Sequence, residues 1–128
     1  MNRQELFSAA YKGLAAQGWE RATVTKMRYG VLDSVCQYRA TAPDGTMRKC
    51  AIGHAIPDDL YTPEMDSDQS LIHVLEAIGY EQTGIGSDNY QFALTLRTAH
   101  DCASSPDDMQ RQFNYIADSN ALNIPAIN

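Results

Sequence analysis

The sequence predicts an α+β fold, a small antiparallel β-sheet packed on about four α-helices. Two observations carry the prediction. Three stretches repeat apolar residues at helical spacing behind good N-caps, and a proline–aspartate–glycine turn divides a stretch of alternating polarity. With 128 residues, 44% of them hydrophobic and 20% charged, the chain is the size of one domain, read as residues 1–128. This composition excludes a disordered or collagen-like chain.

The first helix is expected over residues 3–17. Asn2 can cap it, Glu5 completes a capping box, and Leu6, Phe7, Ala10, Tyr11 and Leu14 form its apolar stripe up to a stop at Gly18. Residues 22–29 read as a possible extra strand because Thr23, Val24 and Thr25 are largely β-branched. Residues 34–52 read as a hairpin around Ala42-Pro43-Asp44-Gly45-Thr46, a type I turn with a glycine bulge. That turn pairs Ala42 with Thr46. The register then puts Cys36, Tyr38, Ala40, Cys50 and Ile52 on one face, with Arg48, and Gln37, Arg39, Thr41, Met47 and Lys49 on the other. The mostly apolar first face is expected on the core.

Pro57 and Pro63 exclude a long helix after the hairpin and leave room for one helical turn near Pro57 or Asp58. Further helices are expected over 68–78, capped by Asp66 or Ser67; over 88–103, capped by Ser87; and over 106–119, with Ser105 as cap, Pro106 at the first position and Asp108 as the box acid. Residues 120–128 are expected to be irregular.

The net charge is −6 but unevenly spread. Residues 1–49 carry eight basic and four acidic side chains, a balance of +4, and residues 50–128 carry two and twelve, a balance of −10. Such a split suits either a basic sheet beside solvated acidic helices or two surfaces meeting different partners. Duplex DNA binding is disfavoured, since neutralising phosphates needs a basic footprint. No apolar run approaches the ~18 residues of a membrane helix, and the first residues lack the apolar core of a secretory signal, so a cytoplasmic protein is expected.

Cys36, Cys50 and Cys102 are expected as reduced thiols. Cys36 and Cys50 share the core face as diagonal neighbours, which suits buried packing; a metal or ligand pocket completed by His54 and His100 is the alternative. An enzyme using Cys50 or His100 is a third class. Adjacent helix residues point about 100° apart, so Asp101 is not expected to orient His100. No phosphate-loop, dinucleotide or nucleophile-elbow motif is present, and no cofactor is expected.

Asp58, Asp59, Glu64, Asp66 and Asp68 crowd one short stretch. It is not an EF-hand, because Leu71 and Ala77 stand where glycine and glutamate belong. These acids are read as a solvated loop or as a surface for a basic partner. Loops 53–68 and 79–87 are the first candidate contact surface, and Arg39, Lys49 and Met47 on the hairpin are the second.

The block Cys36-Gln37-Tyr38-Arg39, Gly45, Lys49-Cys50-Ala51-Ile52-Gly53, Ile56-Pro57-Asp58, Tyr61, Pro63 and Met65-Asp66 resembles a family of small accessory proteins of tailed bacteriophages and prophages. The resemblance extends to an N-terminal helix like residues 2–17 and a later helix ending in His100-Asp101. It implies a product acting in the bacterial cytoplasm, where small acidic proteins of this setting often inhibit host defence, anti-CRISPR proteins among them. The expected function is stoichiometric binding and inhibition of a host bacterial protein, such as a defence or nucleic-acid-binding complex, through the acidic surface. No membrane association is expected, and a homodimer stays open. The same block also has a structural reading: Cys50, Ala51 and Gly53 are small where backbones pass closely, Ile56, Leu60 and Tyr61 fill the core, and Asp58 or Asp59 starts a helix.

Overall fold

Helix α1 (Arg3–Ala16) begins where its sequence signal lies: the Asn2 side chain accepts from Glu5 N–H and the Glu5 carboxylate accepts from Asn2 N–H. The computed structural model describes residues 1–67 and 69–127, apart from the side chain of Arg28. All five residues of the expected stripe on α1 are buried, and Gly18 ends the helix at φ +69°. Helix α1 is the centre of the core. It meets α4 (Asp88–Asp101), α5 (Pro106–Ser119) and a 3₁₀ turn at Gly53–Ala55. Phe7 and Phe113 lie 6.2 Å apart, and the Trp19 ring stands edge-on to Tyr11 at 4.8 Å.

The fold is α+β, with two separate two-stranded antiparallel sheets. Strands β3 (Arg39–Thr41) and β4 (Met47–Lys49) keep the register set by the Pro43-Asp44-Gly45 turn: Arg39 faces Lys49 and Thr41 faces Met47. Asp44 fixes the turn by accepting from Thr46 N–H at 3.0 Å and Thr46 Oγ1 at 2.6 Å. Tyr38, Ala40, Cys50 and Ile52 are buried as the alternation requires.

The other sheet corrects the expected boundaries. Strand β1 (Thr23–Arg28) pairs with β2 (Val31–Cys36) across a turn at Tyr29–Gly30. Both turn residues have positive φ, 51° and 79°, the two-residue geometry that matches strand twist. Residues 34–36 therefore belong to a first hairpin and not to the one around Pro43. The chain breaks at Gln37-Tyr38 because the Asp66 carboxylate accepts from Tyr38 N–H at 2.5 Å and Arg39 N–H at 3.4 Å, taking donors a strand would use.

The middle of the chain departs in the same way. Asp58 and Asp59 start no helix; they sit in a turn closed by Leu60 N–H and Tyr61 N–H on Pro57 O. Leu60 is 42% exposed, so only Ile56 of that trio is fully in the core, and Tyr61 is half-buried. A short α2 (Glu64–Ser67) precedes α3 (Leu71–Ala77), which starts at Ser70 because Asp66 is held elsewhere; it buries Leu71, Val74 and Leu75, not Ile72. Helices α4 and α5 have the expected Ser87 and Ser105 caps; α4 buries Phe92, Ala93, Leu96, Ala99 and His100, and α5 buries Met109, Phe113, Ile116 and Ala117. Among the described residues no helix is long and apolar enough to cross a membrane.

Candidate functional site

Gly53 shows why the Cys50–Pro57 block folds as it does. A Cβ there would stand 2.1 Å from the Tyr38 carbonyl oxygen, so only glycine lets the chain pass the hairpin so closely. The Cys50 sulfur accepts from Gly53 N–H at 3.3 Å and caps the 3₁₀ turn. Burial pushes the Cys50 thiol up to about 12, which leaves it a protonated packing group.

His54 follows at once and points away from Cys50's cavity. Its ring fills the notch left by Gly13 on α1, and its Nε2 donates to Gln17 Oε1 at 3.0 Å. Burial, with Lys49 nearby, pushes its pKa down to about 4.

The structure instead gathers Cys36, His100 and Asp101, whose ligand atoms all lie within 4.8 Å of one another. Asp101 does orient His100, contrary to the expectation from helix geometry: Nδ1 and Asp101 Oδ1 are 2.7 Å apart. The pair sits in the last residues of α4, where no following turn crowds the two side chains. His100 is fully buried, and its Nε2 accepts from Ala22 N–H at 3.1 Å. That bond leaves the ring proton on Nδ1, donated to Asp101. Burial first, then the neighbouring Asp101 carboxylate, pushes the Cys36 thiol up to about 12.

This arrangement fits neither a metal nor a nucleophile. A metal on Nδ1 would leave the neutral ring protonated on Nε2, facing the Ala22 N–H. A cysteine nucleophile needs a thiolate, and at Cys36 burial and Asp101 outweigh the one lowering influence, Arg21. The set Cys36, Cys50, His54 and His100 is not brought together. Cys36 and Cys50 do line a common cavity of about 250 Å³ with Tyr38, Asp66, Arg97 and Asp101.

The acidic stretch divides. Asp66 is internal, accepting from Tyr38 N–H, Arg39 N–H and, at 2.5 Å, the Tyr61 hydroxyl. Asp58 is exposed but tied to Arg39 at 2.7 Å and Lys49 at 3.6 Å. Those cations, Lys49 first, hold its carboxyl below the usual range. Asp59 and Glu64 are exposed, and Asp68 lies outside the described residues. Arg39 is not free for a partner: its side chain is only 14% exposed, donates to Ile56 O at 3.2 Å and lies 4.3 Å over the Tyr61 ring. Of the second expected surface only Met47 is well exposed, at 55%.

Sequence reading missed the most exposed apolar feature. From Thr25 to Ser34 every described side chain of the β1–β2 hairpin is exposed, with Met27, Val31 and Leu32 at 65%, 65% and 67% and Tyr29 fully open. Met27 and Leu32 are cross-strand partners on one face. The Tyr29-Gly30 pair was the available signal, weakened because tyrosine rarely takes positive φ. Compared with known proteins, the chain matches no family model, no curated protein and no solved structure.

Proposed function

We propose that the protein works by stoichiometric binding to a protein of the bacterial host, blocking it as an anti-defence inhibitor does. One observation carries this reading: the hairpin presents Met27, Tyr29, Val31 and Leu32 to solvent together. An isolated two-stranded ribbon with an apolar tip has no folding reason to exist in that form, since it buries little and leaves both edges open. Methionine and tyrosine are enriched at interface centres, and burying Met27 or Leu32 in a partner would contribute roughly 1.5–3 kcal/mol each. The resemblance of the Cys36–Asp66 block to phage accessory proteins supplies the setting.

The acidic loop is the supporting surface. Asp59 and Glu64 project from a segment stiffened by Pro57, Pro63 and the Tyr61–Asp66 bond, and a stiff loop loses little entropy on docking. Its contribution should be salt-dependent.

The test is affinity capture from a bacterial host lysate, followed by titration of the purified partner. Met27→Asp with Leu32→Asp should abolish one-to-one binding while leaving the thermal midpoint unchanged, and Asp59→Lys with Glu64→Lys should weaken it mainly at low salt. No stoichiometric partner, or full binding by the hairpin variant, would defeat the proposal.

A further inference from the structure

The cavity beside Cys36 and Cys50 contains two opposite charges that are not used on each other. Arg97 and Asp101 are one turn apart on α4, yet no salt bridge joins them. Asp101 instead accepts from His100, with the Cys36 sulfur within 4.8 Å. Arg97 and Tyr38 line the cavity together, and among the described residues no carboxylate lies within 4.0 Å of the Arg97 guanidinium.

Both groups keep capacity. A guanidinium has five N–H donors in a planar fork, and Arg97 brings them to the cavity wall. The Tyr38 hydroxyl beside it can donate a proton of its own. An ionised carboxylate offers about four acceptor positions, and Asp101 spends one on His100. Its side chain is 32% exposed, so the remaining positions are reachable.

Charge and size select the ligand. A simple anion would meet Asp66 and Asp101 on the walls, and a simple cation would meet Arg97. A molecule with both charges a few ångströms apart satisfies the two ends together, and one helical turn of ~5.4 Å between anchors suits that spacing. The volume, about 250 Å³, has room for roughly eight waters and lies below the usual ~300–1,000 Å³ of drug-sized pockets.

We propose that this cavity binds a free α-amino acid, its carboxylate on Arg97 and the Tyr38 hydroxyl and its ammonium on Asp101. The thiols of Cys36 and Cys50 and the thioether of Met65 form the soft part of the wall, and Gln69 offers an amide to a polar side chain. Asp101 is a positioning and binding group here, not a catalytic one. This site does not depend on the hairpin and stands or falls separately from partner inhibition.

The experiment titrates the intact protein with each standard L-amino acid by calorimetry and thermal shift. The best binder is then compared with its N-acetyl and its amide forms, which remove one charge each. The expected result is one-to-one binding of at least one free amino acid, at least tenfold weakening for each blocked form, and at least tenfold weakening in Arg97→Gln with an unchanged near-ultraviolet spectrum. Arg97→Lys, which keeps the charge but loses the fork, should fall between. If Arg97→Gln fails to fold, the two blocked ligands decide. The proposal is overturned if no amino acid binds, or if the N-acetyl or the amide form binds as tightly as the free one.

Discussion

The imidazole of His54 occupies the space that a side chain on Gly13 would take. A Cβ at Gly13 would lie 2.1 Å from His54 Nδ1, so the two residues form one fitted joint between α1 and the Gly53–Ala55 turn. Gly13→Ala should gain about 1 kcal/mol of helix propensity and lose about 1–3 kcal/mol to overpacking, for a net destabilisation. In a His54→Ala background the same substitution should stabilise. Urea unfolding of the four proteins of the cycle measures this, and equal effects in both backgrounds would refute the joint.

The same histidine makes stability pH-dependent. Its folded pKa, about 4, lies below its unfolded value of 6.5, so the folded state holds the neutral ring. Its contribution is fully present above pH 6.5 and is lost as pH falls through that value towards 4, by on the order of 3 kcal/mol. His54→Gln, which can keep a bond to Gln17, should flatten the fall between pH 6.5 and 4.5. An unchanged slope in denaturant titrations across that window would contradict it.

Gly53→Ala should cost more than Gly13→Ala, because the atom it meets is the Tyr38 backbone oxygen, which cannot rotate away. A loss of about 3 kcal/mol or more is expected, read as a drop in thermal midpoint.

Asp66 and Asp59 are both acidic residues of one loop but should behave differently. Asp66→Ala strips acceptors from Tyr38 N–H and the Tyr61 hydroxyl and should destabilise by about 2–3 kcal/mol. Asp59→Ala, at an exposed position, should stay within ±0.5 kcal/mol. Equal midpoints would remove Asp66 from its structural role.

Thiol labelling should be ordered. Cys102 is exposed and should react first, while Cys36 and Cys50, both pushed up to about 12, should react slowly until the protein unfolds. Chelators should leave the thermal midpoint unchanged. Rapid alkylation of Cys36 in the folded state would revive a reactive-thiol reading.

Legibility followed the range of the interactions. The caps at Asn2, Ser87 and Ser105 and the register set by Pro43-Asp44-Gly45 depend on residues a few positions apart, and they were readable. The break at Tyr38 was not, because the acceptor that causes it is Asp66, a contact made only after folding. The same residue was therefore misplaced on the acidic surface. The place of His100 near the end of a helix was readable, but its neighbours Ala22 and Cys36 come from another part of the chain. The Tyr29–Gly30 turn was local and still missed, since a bulky residue at positive φ works against the usual signal.

Strand β1 of the ribbon that carries Met27 and Leu32 meets the body of the molecule beside β3, while Met27, Tyr29, Val31 and Leu32 stand in solvent. Those four exposed positions can therefore be rewritten with little penalty to the rest of the molecule. A lineage in an arms race could retarget such a finger quickly, and an engineer could graft a foreign epitope between Lys26 and Asp33 on the same grounds.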